Sequence, residues 1–281
     1  MTVDEEQSVW DHLEELSKRL RRVVIVIVLA TALIISMPSN PAELLRLNLS
    51  GYRPLISLVL EFIQGSLLPE GVNLIAFNWL DTFYIYFMVA FVLGILVTMP
   101  YMAYELYQFI APALYPSERR RMYAFIIVVT GLFTVGTLYA WFILLPTTFT
   151  VLYNFVYQSN VLPFFSIKDF YNMVSFGLLG SGIFYTFPVV IYFLVAADLV
   201  MVQTLKDNRK QLFLALLLIT AIFTPDPTPF SMLLMSIPFY ILYEITIQVL
   251  SRVKKEPEDT SVEIGIQASR DLLEKLRNSE A

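Results

Sequence analysis

Cysteine is absent from this 281-residue sequence, histidine occurs once, and only 15% of the residues are charged. Without cysteine, the chain has no disulfide framework, no thiol nucleophile and no cysteine-ligated metal. A single histidine, His12, argues against a histidine-based catalytic triad or metal cluster. These absences argue against cysteine- or histidine-based catalysis and metal binding, and we expect no enzyme activity, metal or cofactor.

The charged residues that are present leave long stretches of the chain uncharged. A soluble domain carries about 25% charged residues, whereas here 57% of the residues are apolar and many of them lie in prolonged runs without charge. The net charge of −5 argues weakly against nucleic acid as a partner. The sequence therefore predicts an all-α, polytopic integral membrane protein whose surface is covered largely by lipid.

Six apolar runs are candidates for membrane-spanning helices. A spanning helix needs about 20 residues, because the hydrocarbon layer is about 30 Å thick and each residue rises about 1.5 Å. The fifth run has only 13 residues, so that its helix would be about 20 Å long and too short for an average bilayer. The predicted spans are residues 23–37, 82–104, 122–145, 170–197, 211–223 and 230–250.

Basic residues indicate the orientation of these spans. Of the 19 Lys and Arg residues, 16 lie in the N-terminal segment, the second and fourth connections and the C-terminal tail. Since basic residues accumulate on the cytoplasmic side, both termini are predicted to be cytoplasmic. The chain then divides into an amphipathic N-terminal helix at 1–22, a membrane domain at 23–251 and a charged cytoplasmic tail at 252–281.

Two outer connections are long enough to fold into a cap. Residues 38–81 contain prolines and glycines around an apolar stretch, 55–63, which predicts a short helix. Residues 146–169 are similar, with Pro146 and Pro163 at either side of the segment 147–161.

The N-terminal helix combines an apolar stripe with charges paired four residues apart. The stripe is Leu13, Leu16 and Leu20, and the pairs are Glu14 with Lys18 and Glu15 with Arg19. One interpretation is a helix lying on the membrane surface. The other is that Glu15 or Glu14 offers its carboxylate to a cationic partner beside the bilayer. His12, which lies among acids, fits an interfacial histidine better than a catalyst.

The connection between the second and third spans carries two further carboxylates, Glu105 and Glu118, among tyrosines and prolines. The aromatic residues alone are typical of an interfacial belt followed by a turn. That interpretation leaves the two acids unexplained. An acidic, aromatic-lined surface at this depth would suit a basic, partly apolar peptide.

Within the spans, Glu244 is the clearest charged residue, and it marks either a functional site or an ion pair with Arg252. The fourth span is rich in glycine and serine, which favours close helix packing over a substrate site. Ser181, between two glycines, is the one candidate nucleophile of an intramembrane hydrolase, but no histidine or aspartate within a span could activate it.

Several of these segments together resemble the TatC family, the multispanning subunit of the twin-arginine protein translocase. The match covers essentially residues 8–252 and comprises His-Leu-Glu-Glu-Leu at 12–16, Phe-Ile-Ala-Pro-Ala-Leu at 109–114, Glu-Arg-Arg at 118–120, Thr-Pro-Asp at 224–226, Phe-Ser at 230–231, Ile-Pro at 237–238 and Glu244. The resemblance implies a glove-shaped six-span bundle with a folded outer cap. It also implies a receptor for folded proteins that carry twin-arginine signal peptides and are exported by the proton motive force.

The resemblance assigns roles to individual residues. Glu15 and Glu118 are expected to receive the twin arginines, and their neighbours are expected to shape the binding site. Those neighbours are His12, Leu13, Leu16, Phe109, Pro112 and Leu114. Pro54, Asp226 and Glu244 match family positions linked to partners or translocation. Expected partners are signal peptides, single-span TatA and TatB-type subunits, other copies of the chain and membrane lipid of the cell membrane.

Two positions depart from the family pattern. The family often has an intramembrane glutamate two residues before the proline of the fourth span, where this chain has Thr186 before Pro188. Thr186 is expected to keep the polar, translocation-linked role of that position without its proton-linked chemistry. An arginine usually follows the leucine of the first motif, where this chain has Ser17.

A secondary transporter of a small ion or metabolite is the alternative function. It would need ionisable or broken-helix sites near the bilayer midplane, usually in repeated halves, and neither is evident.

Overall fold

The computed structural model describes residues 9–39, 53–69, 71–111, 122–159, 164–196, 199–223 and 228–253. Its helices are α1 (Val9–Ser36), α2 (Leu55–Leu67), α3 (Asp81–Ile110), α4 (Met122–Tyr139), α5 (Leu145–Gln158), α6 (Ile167–Ala196), α7 (Val202–Asp207), α8 (Arg209–Phe223) and α9 (Pro229–Val253). A π-helical turn, Ala140–Leu144, joins α4 to α5, and two short strands are β1 (Asn73–Ile75) and β2 (Phe164–Ser166).

Four helical segments of the described chain are long and apolar enough to cross a membrane: α3, the continuous α4–α5 segment, α6 and α9. They correspond to the second, third, fourth and sixth predicted spans. The predicted fifth span is α8, which is short as expected, although it has 15 residues rather than 13 and is thus about 22 Å long. The six-span count stays a prediction.

The N-terminal helix and the first predicted span form one helix, α1, rather than two elements that meet near residue 22. The physical reason is in the sequence, because the 28 residues of α1 include neither glycine nor proline. An amphipathic helix lying separately along the membrane surface is therefore not what the structure shows. The charged turns of α1 extend from its apolar half along the same helix.

The third predicted span also continues further than expected, to Gln158 instead of 145. Pro146 does not end this helix. A proline cannot donate a backbone hydrogen bond, and its ring crowds the preceding turn. The chain accommodates it by widening to the π-helical turn, in which the Leu145 N–H donates to the Ala140 carbonyl.

The described parts of the connections at 38–81 and 146–169 contact each other, as expected for a cap. The short helix expected at 55–63 is α2, and it buries Ile56, Leu60 and Ile63. Its first turn is fastened to the end of α1, where the Leu55 N–H donates to the Met37 carbonyl at 2.7 Å. The parallel pair β1–β2 joins the two outer connections and was not predicted, because strands of three residues give almost no periodic pattern.

Helices α4 and α6 approach so closely that side chains larger than hydrogen do not fit at their crossing. A Cβ on Gly136 would lie 2.6 Å from the Ser181 carbonyl oxygen, and one on Gly182 would lie 2.7 Å from the Phe133 ring. The Ser181 hydroxyl is buried and donates to the Gly136 carbonyl at 2.8 Å. The prediction that this span packs through small residues is confirmed, and Ser181 serves that packing.

A tyrosine of α4 replaces the backbone hydrogen bond that a proline removes from α9. Pro238 has no N–H, so the Leu234 carbonyl four residues earlier lacks its helical donor. The Tyr139 hydroxyl, at the end of α4, donates to that carbonyl at 2.5 Å. Because apolar surroundings offer no water as a substitute, this bond satisfies a backbone acceptor from a neighbouring helix.

Candidate functional site

Charged side chains of the described chain meet where the N-terminal half of α1 crosses the C-terminal third of α3. The Arg19 guanidinium lies between two carboxylates. Its Nε donates to Glu15 Oε1 at 2.9 Å, and its Nη2 contacts the same oxygen. Its Nη1 lies 3.2 Å from Glu105 Oε2, and Arg22 Nη2 lies 3.2 Å from that oxygen too. We call Glu15, Arg19, Arg22 and Glu105 the charge cluster.

Helix packing holds the two halves of the cluster together. In the middle of the crossing, Gly94 of α3 is covered by α1, because a Cβ there would lie 2.6 Å from Thr31 Oγ1. On the α1 side Ile27 is buried, and on the α3 side Ala103 and Tyr107 are buried on either side of Glu105. The close approach of the backbones brings Glu105 within reach of an arginine 86 residues earlier in the chain.

Glu105 is the most deeply buried member, with 3% of its side chain exposed. A buried carboxylate without partners is strongly unfavourable, so it requires hydrogen bonds and opposite charge. Both carboxylate oxygens of Glu105 have partners, since Oε2 contacts the two arginines and Oε1 accepts a 2.8 Å hydrogen bond from Tyr101. The sequence marked Glu105 as an unexplained acid but did not reveal these partners.

Arg19 is 16% exposed at its side chain and lies outside the predicted span. Burial alone would lower its pKa, but the hydrogen bonds and charges of Glu15 and then Glu105 outweigh burial and raise it above the ordinary arginine value. Arg19 is therefore a permanent cation, and Glu15 faces a guanidinium in this structure.

The neighbouring pair, Glu14 with Lys18, has a different character. Its atoms are 2.8 Å apart, as the four-residue spacing predicted, but the side chains are 65% and 70% exposed. The Lys18 ammonium lowers the pKa of Glu14 by hydrogen bonding and then by charge. Because water screens such a pair, only Glu15 of the two candidate acids belongs to a partly buried site.

The leucine stripe of α1 is exposed beside the cluster. Leu13, Leu16 and Leu20 are each at least 40% exposed. Phe109, in the last turn of α3, is half-buried. The structure thus places an exposed apolar strip beside a carboxylate that binds a guanidinium, and binding of a peptide there stays a prediction.

Several candidate residues lie outside the described part of the chain. They are Pro112, Leu114, Glu118 and Asp226, together with the side chain of His12. Their predicted roles stay predictions.

Glu244 pairs with a different arginine from the one weighed in the sequence. Arg209 Nε, at the start of α8, lies 3.1 Å from Glu244 Oε1, and the Tyr240 hydroxyl donates to the same oxygen at 3.0 Å. Arg252 lies two helical turns further along α9, whereas Arg209 faces Glu244 from the neighbouring helix.

The two remaining candidates make local contacts. Pro54 immediately precedes α2. It forms an isolated antiparallel β-bridge with Pro38, which lies just after the end of α1. The Thr186 hydroxyl donates to the Ile183 carbonyl of its own helix at 2.6 Å. Within the described residues, no group of three or more His, Asp or Glu side chains is arranged to hold a metal ion.

The chain is similar in sequence to proteins of a known family. The family model described as Sec-independent protein translocase protein (TatC) matches residues 11–238. The chain is 30% identical to TatC of Blattabacterium sp. subsp. Periplaneta americana, over 89% of this chain and 97% of the relative. It is 27% identical to TatCy of Bacillus subtilis, over 91% and 93%.

Solved structures give the same result. A crystal structure of the twin-arginine translocase receptor TatC in DDM is similar with a TM-score of 0.70 and 26% identity, over 85% of this chain and 98% of that one. The predicted fold class, a helical integral membrane protein of this type, is thus confirmed.

Proposed function

Since the chain belongs to the TatC family of Sec-independent protein translocase proteins, we propose that it is the receptor subunit that binds twin-arginine signal peptides of folded cargo. Members of this family are components of a protein translocase and are not enzymes, in agreement with the expectation from the sequence that the chain has no enzyme activity. The observation that carries the proposal is the guanidinium of Arg19 on the carboxylate of Glu15.

That contact supports the proposal through its chemistry. Arg19 approaches Glu15 with the Nε and Nη2 edge of its guanidinium. Arginine forms this planar, charge-assisted contact and lysine does not. The same carboxylate, beside the exposed leucines of α1, has the chemistry to take an arginine from a peptide that continues into an apolar segment. Glu118 is proposed as the second acceptor.

The proposal extends to the complex and its place in the cell. The chain is a multi-pass membrane protein, and we place it in the cytoplasmic membrane with both termini cytoplasmic. There it nucleates the translocation complex with single-span TatA or TatB-type subunits, further copies of itself and surrounding lipid. Transport by that complex uses the proton motive force.

Peptide binding to the purified chain tests the receptor function. Glu15→Gln keeps the side-chain shape and removes the charge, so the affinity for a twin-arginine peptide should fall about tenfold, as expected for a charge-assisted contact of about 1.5 kcal/mol. Glu14→Gln is the matched control, because Glu14 pairs only with exposed Lys18 among the described residues. Replacing the peptide arginines by lysines should weaken binding to the unmodified chain.

Equal affinities for Glu15→Gln and Glu14→Gln, with arginine still preferred over lysine, would place the peptide site elsewhere.

Single cysteines test the orientation, because the chain has none of its own. Thr204 of α7 and Ser159 after α5 are both exposed. In intact cells, an impermeant thiol reagent should label a cysteine at 159 and leave one at 204 unmodified. Labelling of 204 from outside contradicts the orientation.

A further inference from the structure

The charge cluster poses a problem for the proposed receptor function. Glu15, the acceptor proposed for a peptide arginine, is occupied by Arg19 of the same chain. A peptide arginine must therefore displace Arg19 before it binds. Arg19 is mostly buried, and a buried cation that loses its partner without gaining another is strongly disfavoured.

The geometry of Arg19 resolves this problem, because its guanidinium uses different nitrogens for its two carboxylates. Nε and Nη2 face Glu15, whereas Nη1 faces Glu105. If Glu15 turns to another ligand, the contact to Glu105 remains. Arg19 then keeps an ion pair instead of becoming an isolated buried charge.

Glu105 is suited to keep that contact. Its carboxylate is held by the Tyr101 hydroxyl and by Arg22 Nη2, and it is almost completely buried within α3. Glu15, by comparison, is 28% exposed at its side chain and lies nearer to solvent. One carboxylate of the cluster is thus fixed, and the other is accessible.

We propose that Glu105 is a positioning residue for signal-peptide binding, which retains Arg19 while Glu15 exchanges Arg19 for an arginine of the peptide. This rests on the proposed function of Glu15. In the unliganded chain, Arg19 acts as an internal competitor, and Glu105 reduces the cost of its release. The two carboxylates and two guanidiniums of the cluster balance in charge, so an entering arginine adds one positive charge. A further carboxylate, the role proposed for Glu118, would balance it.

The proposal makes opposite predictions for two neighbouring charges. Arg19→Gln removes the competitor, so a twin-arginine peptide should bind about tenfold more tightly, corresponding to about 1.4 kcal/mol. Glu105→Gln leaves Arg19 with Glu15 as its principal partner, so the peptide should bind about tenfold more weakly. In the double variant no Arg19 remains to be retained, and the affinity should return to that of Arg19→Gln.

The experiment measures binding of a fluorescent synthetic peptide, with two consecutive arginines before an apolar segment, to the full chain in lipid nanodiscs. Arg21→Gln is the control for charge removal from α1, because Arg21 is exposed and makes no ion pair with the described residues. Its affinity should equal that of the unmodified chain. If Glu105→Gln does not fold, the comparison of Arg19→Gln with Arg21→Gln decides alone.

Two results overturn the proposal. One is an affinity for Arg19→Gln no higher than that for Arg21→Gln. The other is a double variant as weak as Glu105→Gln, which means that Glu105 only supports the packing of α3 on α1. Both are distinct from failure of the receptor function itself, which requires that Glu15→Gln leave peptide binding unchanged.

Discussion

Two helix crossings in this protein each pack against a glycine, yet different chemistry stabilises them. At the α4–α6 crossing, Gly136 and Gly182 admit the neighbouring helix, and a serine hydroxyl bonds a backbone carbonyl. At the α1–α3 crossing, Gly94 plays the same role, but the contact continues into the charge cluster.

The difference follows from the surroundings of each crossing. Neutral hydrogen bonds and close packing stabilise helices where no water is available. An ion pair suits the end of the bundle, where Glu15 is partly exposed and a charged ligand can arrive. The charged crossing contains a guanidinium shared between two acceptors. In the proposed mechanism this sharing allows one acceptor to exchange its partner, whereas the uncharged crossing serves stability alone.

The largest effect is expected from filling the uncharged crossing. In Gly136→Ala, the new methyl group would lie 2.6 Å from a backbone oxygen and 2.8 Å from the Tyr185 side chain, so α4 and α6 must separate. Overpacking of this kind costs about 3 kcal/mol where backbone must move. Reversible unfolding in detergent measures it. Gly131→Ala, on the same helix, is the control, because no atom lies within 4 Å of its Cβ position.

A smaller loss is expected from Tyr139→Phe. Removal of the hydroxyl leaves the Leu234 carbonyl without a donor beside Pro238. We expect a decrease of about 1 kcal/mol in unfolding free energy, within the range for hydrogen bonds in membrane proteins. Tyr157→Phe, at a side chain that is 74% exposed, should leave stability unchanged. Equal stabilities for the two variants would mean that another group satisfies the carbonyl.

The second inter-helix ion pair should contribute less. Arg209→Gln and Glu244→Gln each break a partly exposed pair between α8 and α9, and each should cost about 0.5 kcal/mol. The double variant should cost no more than either single one. Arg252→Gln should leave the unfolding free energy unchanged. If it lowers the unfolding free energy as much as Arg209→Gln does, Glu244 pairs with Arg252, as considered from the sequence.

The smallest effect concerns the exposed pair of α1. The hydrogen bond and charge of Lys18 hold the pKa of Glu14 below its ordinary value, so the contribution of this pair to stability is present above the unfolded-state pKa and disappears as the pH falls through the lower, folded-state pKa. Between pH 6 and 8 this contribution is fully present, so Lys18→Gln should lower thermal stability slightly, because water screens so exposed a pair, and should leave peptide affinity unchanged. A change in peptide affinity would extend the charge cluster to this face of α1.

Local spacing predicted the contacts that lie within one helix. The pairs Glu14 with Lys18 and Glu15 with Arg19 follow from four-residue spacing, and the short helix of the cap follows from an apolar stretch between prolines. The long uncharged runs likewise located the four clearest spans, because each run corresponds to a single continuous helical segment.

Contacts between distant segments were beyond such reasoning. The approach of Glu105 to Arg19 depends on how Gly94 lets α1 and α3 cross, and no local pattern encodes that distance. The π-helical turn before Pro146 escaped prediction because proline usually signals the end of a helix. Arg209 was missed as the partner of Glu244 because it belongs to another helix.

The parallel pairing of β1 with β2 has a consequence for biosynthesis. Asn73 pairs with Phe164 and Ile75 with Ser166, and all of α3, α4 and α5 lies between the two strands. The pairing therefore cannot form until this intervening chain has been synthesised and inserted. Closing so long a loop is slow and entropically unfavourable unless the helices already hold its ends near each other. Pairing of the two strands therefore comes after α3, α4 and α5 have been synthesised and inserted.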